Sequence, residues 1–317
     1  MTKTLKRLPE LDIIRSLCVL YIVGVWHLNS YLAPLYAFSG YSLAVLHNLT
    51  VAVLGTFTLL SGLLLEKYRF QGWRDVFTFY KKRLGRFFIL LLLSAVTYWL
   101  AGWISPRQLL QIMTGTNLIL GPSVPTLWFF SMIVLFYMLT PILKICAGNP
   151  CFALIPSIAV LLILIALFYW VGADVRLVYY FPCYAIGLFA GTGRFVRLIE
   201  ARWLFWLIPL VAALFIPKAP FIVSEVSGIV LLLICSRLFL RAGMDKAFYV
   251  ISTASMIAYL FHRQFFSGVQ RLFEYRGVGY IPLAWALLLL PVLFAICYLA
   301  QIVYEKILKK VVCAKFA

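Results

Sequence analysis

From Cys151 to Val171 the chain reads CFALIPSIAVLLILIALFYWV, without one charged side chain. A stretch of that length crosses the hydrocarbon of a bilayer as a helix. In lipid every backbone NH and carbonyl must be paired within the protein, so a chain built of such stretches forms helices or a closed barrel. A barrel would alternate apolar and polar residues in short segments separated by turns. Here the runs are continuous, and 64% of the 317 residues are hydrophobic. The expectation is an all-α polytopic membrane bundle, one integral membrane domain over residues 1–317, with about ten transmembrane helices. Their limits fall near 11–32, 45–66, 85–104, 126–146, 151–171, 177–193, 203–217, 220–240, 250–268 and 281–305. The longest polar intervals, 67–84 and 105–125, are loop-sized.

A formal charge of +18 raises the question of a nucleic-acid partner. Placement answers it. All but six of the 28 basic residues lie on the N-terminal tail, the even-numbered connections and the C-terminus, and the six are Arg107, Arg176, Lys218, Arg263, Arg271 and Arg276. The positive-inside rule then puts both termini in the cytoplasm. Basicity here is topology, and no aromatic-basic module supports binding to nucleic acid. The seven cysteines are scattered and odd in number, which implies neither a disulfide framework nor a metal site.

Ionisable groups at membrane depth are costly and face a cavity or a partner. Helical rise puts His27 near the outer end of the first span, His262 near that of the ninth, and Glu225 about 8 Å into the eighth. The three share a layer. A carboxylate beside an imidazole fixes its tautomer and raises its basicity; the alternative is that Glu225 and His262 meet backbone or water. His47, at the lip of the second span, reads as interfacial. At the opposite face, "YKKRLGRFF" at 80–88 spaces Arg83 and Arg86 at i, i+3 where the third helix is expected to begin. Both guanidinium groups would then lie close to a helix N-terminus, which attracts anions. Lys81 and Lys82 read as anchors on lipid phosphates.

These residues resemble a known family. "RLPELDIIRSLCVLYIVGVWH" at 7–27 looks like the first helix of the acyltransferase 3 membrane O-acyltransferases, Leu-Asp-x-x-Arg followed by an apolar run and His. "FTLLSGLLL" at 57–65, "RLGR" at 83–86, "LWFFSMIVLFYMLTPIL" at 127–143, "FPCYAIGLFAG" at 181–191 and "SMIAYLFH" at 255–262 continue the likeness in the family's order. The resemblance implies an enzyme that moves an acyl group, commonly acetyl from cytoplasmic acetyl-CoA or another acyl-CoA, to a hydroxyl of a cell-surface or lipid-linked glycan. It implies the compact membrane-only type, set in a bacterial cytoplasmic membrane among its lipids, with no metal. Carried over by motif, Arg15 and His27 are catalytic, and Arg83 and Arg86 serve the donor. Ser61 is either an acyl relay or a small residue allowing close packing beside Gly62. Trp128, Tyr137 and Tyr259 either line the substrate cleft or belong to packing and the aromatic belt.

The physics of the donor agrees with that division. CoA phosphates do not enter hydrocarbon cheaply, so they belong near Arg83, Arg86 and Arg15. Arg15 to His27 is about 18 Å along a helix, comparable with an extended pantetheine arm. His27 would act as general base on the acceptor hydroxyl. Two rival readings are a multi-pass transporter or flippase, and a non-catalytic membrane binding protein.

One departure from the family pattern carries a structural expectation. Eleven residues separate Arg15 from His27, against the family's usual ten. In a regular α-helix the extra residue leaves the two side chains about 120° apart rather than about 20°. A π-bulge between them, with Gly24 in the right interval, would restore the common face.

Overall fold

The computed structural model describes residues 8–34, 37–148, 152–191 and 208–313, and among them the chain is helical, without a strand. The helices are α1 (Pro9–Tyr21), α2 (Gly40–Leu63), α3 (Trp73–Leu100), α4 (Pro106–Thr114), α5 (Leu127–Ala147), α6 (Leu154–Val171), α7 (Arg176–Ala190), α8 (Ile208–Ala212), α9 (Phe221–Arg241), α10 (Asp245–Glu274) and α11 (Leu283–Cys313). Seven helical stretches are long and apolar enough to cross a membrane. They correspond to seven of the ten expected spans. Of the other three, α7 has 15 residues, about 22 Å of rise. In the 203–217 span, residues 203–207 lie outside the described residues, and α8 with a short 3₁₀ turn (Ala213–Phe215) makes up most of the rest. α10 is long enough at 30 residues, but Ser252, Ser255, His262, Arg263 and Gln264 lower its apolarity.

Local chemistry explains where several helices begin and end. α1 opens on Pro9 with Glu10 and Asp12 in its first turn, where fixed φ and negative charge suit a helix start. α4, inside an interval expected to be loop, is set by a reciprocal capping box between Ser105 and Gln108 and stopped by Gly115 in the left-handed region. The third helix corrects its expected start. It begins at Trp73, not near residue 85, because Val76 and Phe79 give "WRDVFTFYKKRL" a buried stripe of its own. α3 is therefore about 42 Å long against about 30 Å of hydrocarbon. Trp73 and Phe77, spaced i, i+4, are 86% and 70% exposed on its first turns.

The described residues fall into two compact units, one within Met1–Val53 and Leu204–Ala317, the other within Leu54–Trp203. In the first, α1 packs on α9 and α10, and α10 on α11. Polar side chains join these helices. Ser16 Oγ donates to the Phe248 carbonyl at 2.6 Å, and Ser252 Oγ donates to the Asp12 carboxylate at 2.9 Å. Asn48 Nδ2 donates to the carbonyls of Leu214 and Ile216, fastening α2 to the 3₁₀ turn after α8. Gly228 lies so close to Ala52 that a Cβ would overlap it.

The second unit is built on equally close backbone approach. A Cβ on Gly62 would strike the Tyr184 carbonyl, and one on Gly187 the Leu59 carbonyl, so the pair sets the spacing of α2 and α7. Thr140 and Tyr184 share a buried hydrogen bond between α5 and α7. Lys144 Nζ donates to the Glu66 carbonyl at 2.7 Å and the Leu188 carbonyl at 3.1 Å. Carbonyls at helix C-terminal ends lack intrahelical partners, and an ammonium is a favourable one. At the other ends of these helices, Arg176 pairs with Asp174, bonds Ser123 and lies over the Trp128 ring at 3.9 Å.

Candidate active site

The first helix does not remain an α-helix to its end. After Tyr21 it continues as a π turn from Ile22 to His27, then as a 3₁₀ turn from Leu28 to Tyr31. The π turn lies between Arg15 and His27 and contains Gly24, whose missing Cβ admits the Leu290 side chain of α11. One residue is thereby absorbed, and the angle between the two side chains returns from about 120° to about 20°. Arg15 is half-buried, His27 buried.

At the end of the π turn the His27 ring meets His262 of α10. The imidazoles are stacked, centroids 4.6 Å apart and planes 10° from parallel. Equal depth, read from helical rise, is here direct contact. Tyr259 stands edge-on to both rings, at 6.5 Å from His27 and 6.0 Å from His262. His27 is 8% exposed and His262 fully buried. His262 Nδ1 lies 2.7 Å from the Tyr259 carbonyl and 3.2 Å from the Ala258 carbonyl. Carbonyls only accept, so Nδ1 carries the hydrogen and the neutral ring keeps its lone pair on Nε2. That nitrogen, and Nδ1 of His27, are buried without a hydrogen-bond partner among the described residues. Tyr31, one turn beyond His27, bonds Ser267 Oγ at 3.1 Å and the Arg263 carbonyl at 3.4 Å, which holds the 3₁₀ turn along α10.

Glu225 is 3% exposed on α9 of the same unit, flanked by buried Ser224 and Ser227. The ring stacked on His27 is that of His262. His47 lies 6.2 Å from Trp26 and outside the stack.

The remaining predicted residues belong to the other unit. Arg83 Nε donates to the Tyr68 hydroxyl at 3.0 Å, and its guanidinium lies 5.4 Å from that ring's centre. Because α3 starts at Trp73, Arg83 is ten residues and Arg86 thirteen residues into the helix. The attraction of a helix N-terminus fades within the first turn, so anion binding here must rest on the side chains alone. Ser61 donates to the Phe57 carbonyl of its own helix at 2.9 Å. Trp128 lies under the Arg176 guanidinium, and the Tyr180 ring centre is 6.1 Å from its own. Tyr137 is buried edge-on to Phe87 at 5.3 Å.

Sequence reasoning passed over Asp12, although it sits in the quoted Leu-Asp-x-x-Arg motif; its bond to Ser252 aligns α1 with α10 below the histidine pair. A carboxylate in the first turn of a membrane helix was the available signal. It passed over Lys144 too, a basic residue at the end of a span and thus indistinguishable from a topology charge.

A family model described as an acyltransferase domain matches residues 8–302. No curated protein and no solved structure matches the chain.

Proposed function

The chain belongs to that acyltransferase family, and on this premise we propose that it transfers an acyl group, acetyl foremost, from acyl-CoA to a hydroxyl of a cell-surface or lipid-linked glycan. The observation that carries the reading is the stacked His27–His262 pair at the end of a helix whose π turn brings Arg15 back toward the same face. The stacked pair suits proton transfer to and from one reacting oxygen, as acyl transfer to a hydroxyl requires.

In the proposed reaction His27 accepts the proton of the acceptor hydroxyl as that oxygen attacks the thioester carbon. The tetrahedral intermediate collapses with cleavage of the carbon–sulfur bond. CoA leaves as thiolate and takes the proton from the imidazole, so the products are an ester and free CoA, and His27 is neutral again. His262 holds the His27 ring by stacking. Arg83 and Arg86 grip the donor's phosphates.

The test is transfer of labelled acetyl from acetyl-CoA to surface glycan in membranes. His27→Ala, at normal protein level, should lower transfer by about 10² to 10⁴. Replacing Arg83 and Arg86 with Gln should raise KM for acetyl-CoA. Full transfer by His27→Ala overturns the assignment.

A further inference from the structure

Arg263 follows His262 on α10 and is half-buried. Its carbonyl accepts from the hydroxyl of Tyr31 at 3.4 Å, so its backbone lies against the 3₁₀ turn that follows His27. The Nε atom is buried without a hydrogen-bond partner, and among the described residues the guanidinium has no ion pair. Arg176, by contrast, has a carboxylate, a hydroxyl and an indole, and Arg83 has a phenol. A guanidinium whose Nε is buried without a counter-charge is costly, and the cost is relieved when a substrate brings an anion. Its planar fork suits a phosphate or a carboxylate.

We propose that Arg263 binds an anionic group, phosphate or carboxylate, carried by the acceptor near the hydroxyl that His27 deprotonates. The acceptor is then an acidic or phosphate-linked glycan rather than a neutral one. The proposal rests on the acyl-transfer reading for the identity of the ligand as acceptor, while the anion site itself is measurable without turnover.

The experiment is thermal unfolding of the full-length detergent-solubilised protein with octyl glucuronide or octyl glucoside at equal concentration. A ligand that binds the folded state raises Tm. The glucuronide should raise Tm above the glucoside; R263Q should lose that difference, R263K keep part of it, and H27A keep it. No difference in the natural protein, or one that survives in R263Q, overturns the proposal. So does an Arg263-dependent shift with phosphatidylglycerol over phosphatidylcholine and none with glucuronide, which assigns the site to a lipid headgroup. If H27A retains acyl transfer while the glucuronide shift follows Arg263, the catalytic reading fails and the anion site stands. An R263Q enzyme that loses kcat equally on neutral and acidic acceptors would instead place Arg263 on the tetrahedral oxyanion and overturn the acceptor assignment.

Discussion

The imidazoles of His27 and His262 lie face to face at 4.6 Å, and the second is held by the carbonyls of its own helix. The orientation of the His27 ring is thus tied to the backbone of α10. His262→Phe keeps a flat ring in the stack and removes both nitrogens. Its kcat should fall by up to about 10²-fold, the scale of a small misplacement, with KM for acyl-CoA and Tm unchanged. An unchanged kcat would show that the second ring only fills space.

The π turn permits an asymmetric test. Deleting Val25 leaves eleven steps from Arg15 to the histidine, which a plain α-helix places about 20° apart, as the bulge does. Inserting Ala after Gly24 adds about 100° instead. The deletion should retain measurable acyl transfer, and the insertion should lose about 10²-fold or more. Equal loss in both would mean that the common face of Arg15 and His27 is unimportant.

Close backbone approach predicts where stability is lost. Gly187→Ala would drive a methyl group into the Leu59 carbonyl, which cannot swing aside as a side chain can. A cost of about 1 to 3 kcal/mol is expected, read as a lower Tm in detergent. Gly24→Ala meets only the tip of Leu290 and should be much milder. A Gly187→Ala protein as stable as the natural one would show that α2 and α7 separate freely.

Asp174 gives the fold a pH dependence. Burial alone would raise its carboxyl, but hydrogen bonds and charge from Arg176, with the Ser123 hydroxyl, outweigh burial and hold it below the ordinary value. Its stabilising contribution is complete above the unfolded value, about 3.9, and is lost as pH falls through the lower folded value. Asp174→Asn should lower Tm at neutral pH, and the gap from the natural protein should narrow on acidification below about pH 4. A gap constant down to pH 2 would refute the linkage.

How much was legible in the sequence follows from what hydropathy measures in a membrane. α6, the segment most readily identified, keeps Leu164 as its one buried residue, because its apolar surface faces outward. α10 holds Ser252, Ser255, Tyr259 and His262 buried, so the helix at the heart of its unit is among the least apolar. Hydropathy therefore finds lipid-facing surface better than core. It also misplaced the start of α3, where alternating aromatic and basic residues form a helix outside the apolar run. The histidines were legible because buried ionisable groups are rare, and the π turn because one residue too many must be stored somewhere. Arg263 was not, since a basic residue near a span's end reads as a topology charge until its missing counter-charge is seen.

Lys144 and Arg176 have a joint mechanical consequence. The ammonium ties the end of α5 to the carbonyl of Leu188 in α7, and the guanidinium ties the start of α7 to Ser123 and the face of Trp128, at the start of α5. Two helices riveted at both ends cannot slide past each other. When the surrounding bilayer thins or thickens, α5 and α7 must meet the hydrophobic mismatch by tilting as one plank.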